Sequence, residues 1–91
     1  MRDSDVSTVS LVYLARLREA FGQSSERIEV PPGVTSVAAL RTWLARRGGV
    51  WATELAPGRA VRIAVNHAIA QPDTPVGPGD EVAIFPPVTG G

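Results

Sequence analysis

The 91-residue sequence has no cysteine, no lysine and a single histidine. Each absence removes a chemistry. Without Cys there are no disulfides, no thiolate nucleophile, no Cys-type zinc site and no iron–sulfur ligation. Without Lys no side-chain amine can form a Schiff base or accept an isopeptide bond. A metal site or a Ser-His-Asp triad would have to be built around His67 alone. Excess charge is also missing, since nine Arg balance nine Asp plus Glu. Nucleic acid and anionic lipid are bound mainly through surplus positive charge, so neither is an expected partner. No run approaches the ~20 apolar residues of a membrane span. The opening Met1-Arg2-Asp3-Ser4-Asp5 carries acid and no signal-peptide pattern follows it. The expectation is one small, soluble, cytoplasmic domain.

What is present reads as an ordinary globular chain, 44% hydrophobic and 20% charged. Val9-Ser10-Leu11-Val12-Tyr13-Leu14-Ala15 is apolar on both alternating faces, as in a strand buried on both sides. Residues 15–21 place Leu17, Ala20 and Phe21 at helical spacing, and Gly22 stops the short helix. Residues 26–30 alternate as a half-exposed strand that Pro31-Pro32 ends. Thr35 or Ser36 can cap the main helix, whose stripe is Val37, Leu40 and Leu44. Gly48-Gly49 terminates it, and residues 51–55 allow one further turn. Val61, Ile63 and Val65 alternate with Arg62 and Ala64, Asn66-His67 make a tight turn, and Ala68-Ile69-Ala70 return. Residues 76–80 are a turn, and residues 81–85 form the last strand.

The order is β, short α, β, α, β, β, β. The first and last strands are the most apolar, so both belong in the middle of the sheet. Set side by side and parallel there, they need a crossover that lays the long helix over one face. The predicted fold is therefore α+β: a ubiquitin-like β-grasp, a mixed sheet of about five strands packed on one main helix. Residues 1–8 are read as a mobile N-terminal extension, 9–85 as the domain and 86–91 as a C-terminal tail.

Few side chains offer reactivity. His67 beside Asn66 is read as a solvated turn residue, and Asp80-Glu81 as turn plus edge, since neighbouring strand residues face opposite ways. Gly77-Pro78-Gly79 lacks the spacing and the Lys of a phosphate loop. Arg41, Arg46 and Arg47 are read as a solvated helix face, and Trp43 and Trp51 as packing residues. No metal ligand set is expected.

The chain end is different. In Phe85-Pro86-Pro87-Val88-Thr89-Gly90-Gly91 the prolines stiffen the exit from the sheet. Val88 and Thr89 favour extended backbone, and Gly90-Gly91, without a Cβ, can enter a narrow channel. The terminal carboxylate, of ordinary pKa ~3.5, is a poor electrophile until it is adenylated. Sulfide equivalents could then leave a thiocarboxylate, a sulfur nucleophile borne by the backbone.

These residues resemble the small-subunit family of molybdopterin synthase, which are ubiquitin-like sulfur carriers. The resemblance runs from about Ser10 to Gly91 and is most specific over residues 79–91. Leu14-Ala15-Arg16-Leu17-Arg18-Glu19 and Val65-Asn66 match more loosely, and the N-terminal extension is a departure. The resemblance implies that an E1-like adenylyltransferase uses ATP to adenylate Gly91 and that a sulfur donor system gives the thiocarboxylate. Two such chains would dock on a dimer of the large subunit and deliver sulfur to cyclic pyranopterin monophosphate. Gly91 would carry the reacting atom, Gly90 would allow threading, and Phe85, Pro86, Pro87, Val88 and Thr89 would hold the tail against the partner, with Phe85 as apolar anchor. The chain would bind no cofactor and would not be an enzyme on its own. Carriers for thiazole, cysteine or tRNA thiolation, a protein modifier, and a plain interaction module are the alternatives; the Phe-Pro-Pro stretch favours molybdopterin.

Overall fold

Strand order follows from which strands can afford no exposed edge. The computed structural model describes residues 7–87 and has a five-stranded mixed sheet in the order β2-β1-β5-β3-β4. The strands are β1 (Ser7–Tyr13), β2 (Ser25–Val30), β3 (Arg62–Val65), β4 (Ala68–Ile69) and β5 (Glu81–Phe85). As expected, β1 and β5 lie parallel at the centre, with Leu11 opposite Val82 and Tyr13 opposite Ile84. β2 pairs antiparallel with β1 on one side and β3 antiparallel with β5 on the other. This is the β-grasp arrangement. Three helices cross the gaps: α1 (Arg16–Phe21), α2 (Val37–Ala45) and α3 (Gly49–Glu54).

Each element has a local cause. Gly22 ends α1 in the left-handed region at φ 74°, where its N–H reaches the carbonyls of Arg18 and Glu19. Ser36 caps α2 by accepting from the Ala39 N–H at 3.2 Å. The free N–H groups of Val37 and Ala38 go to the carbonyls of Thr74 and Pro72, so the long loop before β5 closes that helix end. Val37, Leu40 and Leu44 then lie buried in the core beside Leu11, Leu17, Leu55, Val82 and Ile84. Among the described residues Tyr13 is the one fully buried side chain that carries a polar group.

Three expectations need correction. β1 starts at Ser7, because Val30 and Glu29 of β2 extend far enough to pair Ser7 and Thr8; residues 7 and 8 therefore belong to the sheet. The central strands are not buried on both sides. Val9, Leu11 and Tyr13 face the helices, whereas Thr8, Ser10 and Val12 alternate with them and are half-buried, as are Glu81, Ala83 and Phe85. The turn after α2 is a six-residue helix from Gly49 rather than a turn from Trp51, because the Gly48 carbonyl already accepts from the Trp51 N–H.

The core depends on the α2 stripe. Leu44→Ala removes a fully buried side chain and is expected to cost about 2–5 kcal/mol. Ile69→Ala, at an exposed position, should change stability by about 0.5 kcal/mol or less. Urea unfolding of the two variants checks the contrast.

Candidate functional site

The site begins where β5 leaves the sheet. Phe85 is the last strand residue and pairs with Arg62 of β3. Phe85, Pro86 and Pro87 are half-buried. The remaining tail residues named from the sequence, Val88, Thr89, Gly90 and Gly91, lie outside the described residues.

Two clusters set the position of that exit. At the entry to β5, Asp80 accepts from the Gly77 N–H at 2.8 Å and from the Asn66 side-chain amide at 3.0 Å. Asn66 in turn accepts from the Glu81 N–H at 2.9 Å. Asn66 and His67 both have positive φ, the tight turn expected of them. The Val65-Asn66 and Gly79-Asp80-Glu81 matches therefore have a structural meaning. They clip the β3–β4 hairpin to the start of β5 and fix its register. His67 stays solvated, 4.0 Å from the Glu81 carboxylate.

At the other end, Tyr13 lies level with Ile84. Its hydroxyl donates to the Glu26 carboxylate, which also receives Gln23 and, at 2.9 Å, Arg47. The Arg47 guanidinium lies 4.4 Å over Trp51, and Trp51 stacks on Phe21 at 3.9 Å. Tyr13 meets both rings edge-on. Burial, together with the Glu26 hydrogen bond and charge, pushes the Tyr13 hydroxyl far up, so it remains a donor. Burial acts to raise Glu26, but hydrogen bonds from Arg47 and Tyr13 and the Arg47 charge outweigh it and hold the carboxyl below its ordinary value. Arg41 is not a solvated face residue either. It donates to the carbonyls of Leu55, Ala56 and Arg59 and so clamps the loop into β3.

The uncovered sheet face carries apolar surface that sequence patterning missed. By register Val12, Ala83, Ala64 and Ile69 lie in one cross-strand row, and Phe85 follows Ala83 on the same face. Ile69 is 59% exposed. Leu14, one register step beyond Tyr13 and so level with Phe85, is 43% exposed. A two-residue strand is too short for alternation to give a signal for Ile69. Leu14 gave none, since an apolar residue at a strand end reads as core.

A sequence ending in two glycines, on a β-grasp with an apolar open face, invites comparison with known carriers. The profile of the ThiS family matches residues 11–91. The chain belongs to the ThiS family. The molybdopterin synthase sulfur carrier subunit of Escherichia coli is 39% identical over 83 residues, spanning 91% of this chain and 99% of that protein. The same subunit of Haemophilus influenzae is 34% identical over the same shares. A solved structure described as molybdopterin converting factor subunit 1 from Pyrococcus furiosus superposes with a TM-score of 0.74. It is 30% identical and covers 90% of this chain and 99% of its own. ThiS-family membership agrees with the resemblance of residues 79–91. Among the described residues no group of His, Asp and Glu could hold a metal ion, and no helix is long and apolar enough to cross a membrane.

The Glu26 cluster makes a pH prediction. Its carboxyl has a lowered pKa in the folded chain, against an ordinary value of 4.5. Its stabilisation is therefore complete above that value and is lost as pH falls through the lower folded-state pKa. Glu26→Gln should cost about 1–3 kcal/mol at pH 7. Between pH 5 and its acid limit the wild type should lose stability more steeply than the variant, as read by denaturant titrations at stepped pH.

Proposed function

We propose that this ThiS-family chain is the sulfur carrier subunit of a molybdopterin synthase and that the Gly91 carboxylate is its working group. The observation that carries the reading is the combination of a register-locked β5, the Phe-Pro-Pro exit and the Gly-Gly end in a chain whose relatives are carrier subunits of that synthase. Those relatives favour molybdopterin over the other thiolation pathways.

The chemistry needs no side chain of this protein. The Gly91 carboxylate attacks the α-phosphorus of ATP in an E1-like adenylyltransferase, and pyrophosphate leaves. A sulfur donor, a protein persulfide with a thiol reductant supplying two electrons, then delivers sulfide to the acyl carbon, and AMP leaves. The product is the Gly91 thiocarboxylate. In the synthase its sulfur bonds a carbon of cyclic pyranopterin monophosphate in place of an oxygen, which departs as its carbon–oxygen bond breaks. Water cleaves the acyl–sulfur bond and restores the carboxylate. Two carriers on a large-subunit dimer, a heterotetramer, supply the two sulfurs of the dithiolene.

The body of the chain docks and aims. The open apolar face, with Leu14 and Ile69 exposed and Phe85 half-buried, suits a partner that buries it. Phe85 sits where the sheet becomes the tail, so burying it would fix the direction of the last residues. The absence of lysine fits a carrier, because an activated Gly91 meets no side-chain amine on a neighbouring copy.

Deleting Gly91, or adding one residue after it, should abolish molybdopterin formation with the large subunit and leave the circular dichroism spectrum and melting point unchanged. Molybdopterin formation by the truncated chain would rule the reading out. Phe85→Ala should keep the fold and weaken large-subunit binding by about 30-fold in calorimetry, the loss typical of a central aromatic anchor.

A further inference from the structure

The turn that ends β1 is built on a residue poorly suited to it. The Leu14 carbonyl accepts from the Leu17 N–H at 3.2 Å, closing a four-residue turn over Ala15 and Arg16. Ala15 has φ 56° and ψ −135°. Those are the angles of the first central position of a type II′ turn, which glycine normally takes because a Cβ is opposed there. The side chain of Ala15 is exposed, so packing does not hold it in place. The following residues do. Leu17 is fully buried, the Arg18 N–H reaches the Ala15 carbonyl at 3.1 Å, and Arg16 pairs with Glu54 of α3 at 2.6 Å. Backbone held in such a region against its preference points to a role.

The role lies in the ladder. In the parallel β1–β5 pair, Leu14 donates to the Ile84 carbonyl at 3.1 Å. The next bond of a parallel ladder would run from residue 86 back to the Leu14 carbonyl, and the one after from Arg16 to the carbonyl of residue 86. Residue 86 is proline and has no N–H. The Leu14 carbonyl takes the Leu17 N–H instead. Both strands therefore stop at the same rung, one by chemistry and one by conformation.

We propose that Ala15 is a positioning residue for the exit from β5: its type II′ turn, set opposite Pro86, turns β1 away and denies Pro86 and Pro87 a strand partner. Were Ala15 extended, as alanine prefers, β1 would run on beside the tail and offer it the Arg16 N–H. The stop leaves the carrier end available to a partner's channel. This purpose rests on the sulfur-carrier reading, whereas the stop itself is a property of the backbone.

The test compares Ala15→Gly, which suits the turn, with Ala15→Val, whose branched side chain does not. Amide hydrogen exchange by NMR reads the ladder. Single-turnover sulfur transfer from the thiocarboxylated chain to the large subunit reads delivery. Ala15→Gly should match the wild type in both. Ala15→Val should slow exchange at Arg16 by about 10-fold or more. It should also lower the maximal transfer rate by about 10-fold, with half-saturation by large subunit little changed, since delivery and not docking is affected. A folded Ala15→Val chain with free Arg16 exchange would overturn the proposal, as would Ala15→Gly failing equally. If Ala15→Val does not fold, Pro86→Ala decides: with the Ala15 turn intact and the Leu14 carbonyl taken by the Leu17 N–H, the restored N–H should exchange freely, whereas about 10-fold protection there would overturn the proposal. A wild type that takes up no sulfur would defeat the carrier reading and leave the exchange result standing.

Discussion

The parallel pairing of β1 with β5 is the contact on which the rest of this structure depends. It brings the first strand beside the last and puts Leu11, Tyr13, Val82 and Ile84 on one face. Two parallel neighbours cannot be joined by a tight turn. The intervening chain must cross over, and it does so with α2, whose buried stripe covers that face. The edges then fall to β2 and to the two-residue β4, where alternating charge and shortness discourage further pairing. A functional consequence comes from the same contact. The C-terminal segment leaves from the centre of the sheet, beside the end of β1, rather than from a loose edge.

The polar clusters serve that exit. Asn66 and Asp80 lock the start of β5, while Tyr13, Glu26 and Arg47 lock the end of its neighbour. Neither cluster offers a nucleophile or an acid–base pair aimed at a substrate. Their hydrogen bonds are satisfied internally, which suits parts that hold register. On the proposed sulfur-carrier reading the chain separates its tasks: side chains fix geometry, and the main-chain terminus would carry the reactivity. Such a division explains how a protein without cysteine can belong to a sulfur-carrying family.

Much of this was legible in the residues. Hydrophobic alternation and turn chemistry placed β2, β3, β5 and the start of α2 nearly to the residue, although α2 stops at Ala45 rather than at Gly48-Gly49, and the contrast between apolar and amphipathic strands ordered the sheet. What patterning could not reach was two-body information. Val12 and Ala83 look as buried as Leu11 and Val82, yet the helices cover only one face. Arg41 reads as a solvated cation, and its role appears only when the carbonyls of Leu55, Ala56 and Arg59 are brought under it. Glu26 is unremarkable in a charged strand until Tyr13 and Arg47 converge on it. Ala15 carries no signal at all, because a left-handed alanine is imposed by its anchors and not by its own preference. The tail is the reverse case: its proposed chemistry rests on residue types and on the family resemblance, and its last four residues lie outside the described ones.

The central claim is that Gly91 bears the sulfur. Intact-mass spectrometry after incubation with an E1-like adenylyltransferase, ATP and a persulfide donor tests it most directly. The account requires one oxygen replaced by one sulfur, located by fragmentation at the C-terminal carboxylate and lost again on addition of the large subunit and cyclic pyranopterin monophosphate. An unchanged mass under conditions that charge an established carrier, or sulfur found anywhere but Gly91, would contradict it.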